Sequence, residues 1–186
     1  MPDRSNLPFR EKAEAILIYD GKIVAIDKGR YVQFGGGGVD PGESAEKAVR
    51  REIKEEIGCT VDRLQCVASI DAVWWPEWTE GKEKRLQRYE EFQGERSHIF
   101  IGFVDKLGKP TSTEGDAWEG GVDGNLMPLD KIIKISEEGI ENAHSNFKCY
   151  HEVQLTVLKS IKYFKEALKP TKNSDGGNKK GKIKRR

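Results

Sequence analysis

Residues 37–59 read GGVDPGESAEKAVRREIKEEIGC, and this stretch decides how the rest of the chain is organised. Ser44 has the side chain of an N-cap, Glu46 falls in the first turn that follows it, and Gly58 stands where a helix reverses. The spacing therefore predicts a helix over 44–57. At about 100° per residue, Ala45, Val49, Ile53 and Ile57 form one apolar stripe. Glu52, Glu55 and Glu56 are related by i,i+3 and i,i+4 and gather on an adjoining face. Three carboxylates so placed repel one another, and on a solvated surface the cost is only a few tenths of a kcal/mol per pair. Beside a core-facing stripe they suit a hard divalent cation, since magnesium takes carboxylate oxygens and keeps water and phosphate as its other ligands. A charged helix face without any ligand has the same composition, so the helix alone leaves both readings open.

Working outward, the apolar run over 13–19 and its continuation over 22–26 flank Asp20-Gly21, a strong hairpin signal. Residues 31–34 form a short third strand candidate, broken by four successive glycines. The β-branched and aromatic content of 61–75 predicts one or two strands. Residues 76–96 are highly charged and show no clear period, a length of connection that is usually functional or mobile. Residues 98–104 alternate as a strand does, Gly108-Lys109-Pro110 marks a turn, 111–124 read as a loop and 126–129 as a short strand. The longest helical pattern is 147–168, where Val153, Val157, Ile161 and Phe164 recur at helical spacing with Leu155 and Leu158 beside them. Strands with two helices and no regular βαβ alternation predict an α/β or α+β layer fold with a mixed sheet.

The chain has 186 residues, 36% hydrophobic and 34% charged, enough for one domain with a modest core and long charged loops. No window approaches 18 consecutive apolar residues, so no membrane span is expected. The opening MPDRSNLPFREKAEA has no apolar h-region, and no secretory leader is expected. Cys59, Cys66 and Cys149 are odd in number and lack C-x-x-C spacing. Reduced thiols in a cytoplasmic protein are the simplest account, with Cys66 and Cys149 acting as small core hydrophobes. The net charge of +1 conceals an asymmetry: residues 171–186 carry seven basic side chains against Asp175, which leaves the remainder mildly acidic. The chain thus divides into a domain over 1–170 and a basic tail over 171–186, too polar to fold alone.

The residues quoted first also carry a family resemblance. Gly37, Glu43 six positions later, and Arg51-Glu52-Ile53-Lys54-Glu55-Glu56-Ile57-Gly58 resemble the box of the Nudix hydrolases (MutT-like), G-x5-E-x7-R-E-U-x-E-E-x-G-U, with U a bulky aliphatic residue. Every fixed position is filled. Cys59 departs from the last aliphatic position, and Gly35 stands where the family often has proline. The resemblance implies a Nudix fold, an α/β/α sandwich around a mixed β-sheet with a long C-terminal helix. It also implies a pyrophosphohydrolase that cuts a phosphoanhydride bond in a nucleoside diphosphate linked to another moiety. Glu52, Glu55 and Glu56 match the positions that hold Mg²⁺ (Mn²⁺ as substitute), and a backbone carbonyl near Gly37 often reaches the metal. Glu52, Glu55 or Glu56, or a glutamate from a distant loop, acts as the base on water. Arg51 matches the residue that pairs with a box glutamate and orients it, and Glu43 a residue that shapes the helix. The metal neutralises the diphosphate and lowers the pKa of a bound water. A carboxylate base adds about 10²–10⁴-fold.

Substrate choice lies outside the box. Trp74, Trp75 and Trp78 suit stacking on a nucleobase, and Arg85, Arg88 and Arg96 suit phosphates, although the tryptophans equally suit a core or a dimer interface. Glu119, in an acidic loop with Glu114, Asp116 and Trp118, is the candidate for a catalytic carboxylate from outside the box. His98, His144 and His151 have no ligand spacing and read as structural or exposed. Pro76 lies near but not on the marker proline of ADP-ribose-cleaving relatives, and the SQPWPFPxS array of NADH-cleaving relatives is absent. Nucleoside triphosphates, nucleotide sugars or ADP-ribose, dinucleoside polyphosphates and capped RNA all stay open as substrates. The tail is suited to RNA or another polyanion, or to a solubilising role. A homodimer fits the family's habit. The rival reading is a non-catalytic Nudix-fold nucleotide sensor or RNA-binding module, which would more often have lost box glutamates.

Overall fold

In the computed structural model, residues 3–111, 118 and 121–167 are described, with side chains to 163. The chain opens with an eleven-residue strand, β1 (Phe9–Tyr19), which turns through Asp20 (φ 46°) and Gly21 (φ 70°) into β2 (Lys22–Val24). Two consecutive positive φ values are what a two-residue hairpin of matched twist requires, which is why Asp-Gly sits there. The register pairs Leu17 with Val24 and Tyr19 with Lys22. A small hairpin, β3 (Ile26–Asp27) with β4 (Val32–Gln33), follows.

The four glycines do not break the structure, as the sequence suggested; they are a strand. β5 (Gly35–Gly38) pairs antiparallel with the first half of β1, Ala15 against Gly35 and Lys12 against Gly38. The box helix comes next. α1 (Ala45–Glu52) is capped by the Ser44 hydroxyl, which accepts from the Lys47 amide at 3.3 Å. It does not continue as an α-helix to residue 57: Ile53–Ile57 form a single π-helical segment, closed by the Gly58 amide on the Ile53 carbonyl at 3.1 Å. Gly58 then takes the left-handed conformation (φ 76°) that ends the helix.

β6 (Cys59–Val73) and β7 (Gly94–Leu107) form a long antiparallel pair with bulges near residues 60–64 and 66–68. Between them, where the sequence predicts no regular structure, lie a 3₁₀ turn (Pro76–Thr79) and α2 (Glu83–Glu91). The period of α2 is hard to see because it buries no residue completely. After a four-residue helix, α3 (Gly121–Gly124), come β8 (Leu126–Met127), α4 (Leu129–Glu141) and α5 (Ser145–Ala167). The expected strand over 126–129 is therefore cut to two residues. Leu129 instead starts a helix whose buried face is Leu129, Ile132 and Ile133, at helical spacing.

The sheet runs β6-β7-β1-β2-β8 with β5 on the free half of β1. β1 and β7 are parallel and every other pair antiparallel, so the sheet is mixed. One face packs Ala13, Ala15 and Leu17 against Val49, Ile53 and Ile57 of the box helix, with Phe100 and Trp118. The other packs Ile16, Ile23 and Ile99 against Ile132 of α4 and Leu158 of α5. This is the α/β/α sandwich, built because β1 alternates its side chains between two cores. Among the described residues, no helix is long and apolar enough to cross a membrane.

One packing expectation is overturned. Cys66 and Cys149 are exposed, and Cys59 alone of the three cysteines is buried. Cys66 lies on β6, at the sheet edge where that strand leaves the core. Burial pushes the Cys59 thiol up to about 11. Ellman's reagent at pH 8 will accordingly titrate two thiols rapidly in the folded protein and the third only after denaturation.

Candidate active site

The box helix crosses the glycine strand at short range, and the carboxylates are sorted by that crossing. A Cβ at Gly37 would overlap the Glu52 carboxylate, and one at Gly35 would overlap Ile57 Cδ1. The Gly36 amide donates to Glu56 Oε2 at 3.3 Å. Glu52 and Glu56 therefore reach neighbouring residues of β5. Glu55 is half-exposed and joins Glu52 only through Arg51, which donates to Glu52 Oε1 at 2.8 Å and to Glu55 Oε2 at 3.4 Å. Among the described residues, no three carboxylate, histidine or cysteine side chains converge on one point.

Arg51 ties the helix to the loop before it. Its Nη2 donates to Glu43 Oε2 at 3.0 Å and to the Gly38 carbonyl at 3.1 Å, and its Nε to Glu43 Oε1 at 3.3 Å. Glu43 Oε2 also accepts from the Asp40 amide at 3.3 Å. The bidentate bond to Arg51 holds the Glu43 carboxyl below its ordinary range, and the same bonds raise Arg51 above its own. Glu43 is thus a positioning group engaged on both oxygens, whereas Arg51 holds Glu52 through Oε1 and Glu55 through Oε2.

The donor set fits a hard divalent cation. It consists of carboxylate oxygens with partial access to solvent, and Gly37 leaves a cradle, empty of side chain, into which the Glu52 carboxylate projects. The π segment matters here, because such segments widen the helix and recur at functional sites. The last carbonyls of this segment, which a helix end leaves without partners, are taken up from beyond β7: the Thr111 amide donates to the Glu55 carbonyl at 3.0 Å and the Trp118 amide to the Glu56 carbonyl at 2.8 Å. Glu119 itself, with Glu114 and Asp116, lies outside the described residues.

The flanking aromatic residues are already engaged with one another. Trp74 is buried and stacks on Trp78 at 4.0 Å, and Arg85 covers Trp78 at 5.2 Å. Trp75 stacks on His144 at 3.7 Å and makes a T-shaped contact with Phe147 at 5.4 Å. Arg85 also donates to the Trp78 carbonyl, and Arg88 lies close to Arg10 and Glu95. Arg96 is occupied by Asp71 at 2.7 and 2.8 Å, on the same sheet face as the His98–Glu11 contact of 2.6 Å.

A second polar group escaped the sequence reading. Glu14 is 2% exposed on the sheet face opposite the box helix. It accepts from Tyr150 Oη at 2.5 Å, Gln154 Nε2 at 2.6 Å and Lys12 Nζ at 3.1 Å. Such a buried carboxylate is tolerable only because its oxygens are fully engaged. The one signal for it was a glutamate interrupting an otherwise apolar strand.

The NUDIX domain profile matches residues 7–149. No curated protein matches the chain. Among solved structures, an ADP compounds hydrolase is 18% identical, with 87% of this chain and 76% of that one covered and a TM-score of 0.51. The MutT NUDIX hydrolase of Burkholderia pseudomallei is 21% identical over 55% of this chain and 74% of its own, with a TM-score of 0.39. The ORF135 protein of E. coli is 20% identical over 91% and 100%, with a TM-score of 0.47. At 18% identity the likeness to the ADP compounds hydrolase concerns the fold alone.

Two neighbouring glycines give opposite predictions. A methyl at Gly37 meets the movable end of Glu52, so Gly37→Ala should fold with a melting point within a few degrees of wild type and bind Mn²⁺ about tenfold more weakly. Gly36 has φ 146° and its Cβ would strike the Ala13 carbonyl, so Gly36→Ala should lose about 1–3 kcal/mol of stability in urea titration.

Proposed function

The chain belongs to the NUDIX family, whose hydrolases act on nucleoside diphosphate derivatives, and we propose from that membership that it is a Mg²⁺-dependent pyrophosphohydrolase cutting a phosphoanhydride bond in such a substrate. The observation that carries this reading is the placement of Glu52 and Glu56 on adjacent residues of a side-chain-free strand, with Arg51 linking Glu52 to Glu55.

Glu52, Glu55 and Glu56 are the residues that would hold the ion, with the backbone near Gly37. When bound, the ion supplies Lewis-acid neutralisation of the diphosphate and activates water, with Mn²⁺ as a substitute. The rest is the work of the chain. Arg51 fixes the Glu52 carboxylate and the loop after β5 in one geometry, so little reorganisation is left for the reaction. Glu55 has the most exposed carboxylate of the residues around Arg51 whose bonds place them on the helix, which supports it as acceptor of the water proton. Glu119 is the alternative base. The Trp118 amide on the Glu56 carbonyl holds Trp118, the residue before Glu119 in sequence, at the end of the box helix, which supports that role. Arg85 and Arg88 remain the proposed phosphate contacts, Arg85 for the diphosphate and Arg88 for a phosphate outside it, and of Trp74, Trp75 and Trp78 the part-exposed Trp75 and Trp78 are the proposed contacts for a base.

The remaining proposals are coarser. Residues 1–170 form the hydrolase domain, and 171–186 a basic segment suited to RNA or to anionic substrates. Three cysteines without a disulfide support a reducing, cytoplasmic compartment.

The test is turnover of a nucleotide panel with Mg²⁺ or Mn²⁺, comparing wild type with Glu55→Gln and Glu56→Gln. Each variant is expected to lose at least about 10²-fold in kcat. Wild-type release of phosphate or nucleoside monophosphate no faster than that of the variants would leave a nucleotide-binding module instead.

A further inference from the structure

The two faces of β5 carry opposite charge. On the box side, a Cβ at Gly37 would meet Glu52; on the other side, a Cβ at Gly38 would stand 2.5 Å from Arg10 Nη2. Successive residues of a strand point to opposite faces, so Arg10 lies across the strand from the carboxylates and one residue further along. Lys12, paired in register with Gly38, lies on that same far face. Opposite them on β7 is Glu95, which takes Arg10 at 3.2 Å and Lys12 at 3.7 Å. Arg88 of α2 comes up beside them, lowered from the usual guanidinium range by burial and by the charge of Arg10, with Glu95 acting the other way.

The charges do not balance locally. Glu14 is committed to Tyr150, Gln154 and Lys12, which leaves Glu95 as the remaining carboxylate near Arg10, Lys12 and Arg88. Arg88 makes no ion pair among the described residues. Half-buried cations in excess of their partners cost free energy unless an anion completes the group. Forked guanidiniums with a neighbouring ammonium suit phosphate oxygens.

β5 bears no side chains and is hydrogen-bonded to β1 along one side, while its other edge meets the Glu56 carboxylate at the Gly36 amide and Arg51 at the Gly38 carbonyl. A polyphosphate can therefore pass over that edge in close contact with the backbone, from the box carboxylates on one face to the cations on the other. We propose that Arg10, Lys12 and Arg88 form an anion subsite that receives a phosphate beyond the anhydride addressed by the box, so that the substrate is a nucleoside tri- or polyphosphate in preference to a diphosphate linked to a neutral sugar. The proposal rests on the hydrolase reading for its substrate, but its binding half can be measured without turnover.

Two variants test it: Arg88→Gln, at a half-exposed position where folding is not at stake, and Arg10→Lys, which keeps the charge and loses the fork. For a nucleoside triphosphate, KM should rise at least tenfold in each, while KM for a nucleoside diphosphate sugar moves less than twofold. Equal changes for both substrates, or none, overturn the subsite. In parallel, calorimetry with inorganic tripolyphosphate in metal-free buffer uses the full chain, with Lys22→Gln, exposed at the β1–β2 turn, as a charge control. Tenfold weaker binding in Arg88→Gln and Arg10→Lys, with Lys22→Gln unchanged, supports the subsite even if no nucleotide is hydrolysed, in which case only the hydrolase reading falls. Binding as tight as wild type in both subsite variants, or an equal loss in Lys22→Gln, overturns it.

Discussion

Everything at this site depends on how closely a helix and a strand can approach when the strand has no side chains. Each of the four glycines of β5 leaves room for something different: Ile57 at Gly35, the β1 backbone at Gly36, the Glu52 carboxylate at Gly37 and the Arg10 guanidinium at Gly38. A methyl group at any of them would push away a core residue, a neighbouring strand, the Glu52 carboxylate or the Arg10 guanidinium. The strand contributes little apolar burial of its own. Its role is to let charged groups from two layers stand within one or two residues of each other.

The rest of the fold holds that approach in place. The apolar stripe Val49, Ile53 and Ile57 is fully buried against β1, fixing the helix axis, while Arg51 fixes its outer side through Glu43, Glu52 and the Gly38 carbonyl. Behind the sheet, Glu14 fastens α5 through Tyr150 and Gln154 and keeps Lys12 beside Gly38. Lys12 pays for its burial with two carboxylates, and Tyr150 and those acids hold it well above the ordinary lysine range, so it stays charged. The acidic wall and the basic wall are thus fastened from opposite sides of the same sheet.

Much of this was legible in the sequence, and the parts that were not have physical reasons. The Asp20-Gly21 turn, the Ser44 cap and the Gly58 stop are local signals, and each appears as read. The glycine run misled because strand propensity reports side-chain packing, and a strand chosen for its lack of side chains has none to report. α4 was hidden because Leu126, Met127 and Leu129 look alike in sequence but divide between a strand and a helix. The π segment leaves no mark on a wheel drawn at α-helical pitch. The cation cluster was invisible for another reason: Arg10 and Lys12 are far from Arg88 and Glu95 in the chain, and only the parallel pairing of β1 with β7 brings Arg10 opposite Glu95.

The central claim is that the crossing of the box helix and β5 creates a cation site from Glu52, Glu55 and Glu56. The most direct measurement is an anomalous difference map from crystals grown with Mn²⁺. A peak bonded to at least two of those three carboxylates is predicted. A well-ordered box with no peak there, or a single peak held by other residues, would contradict the account.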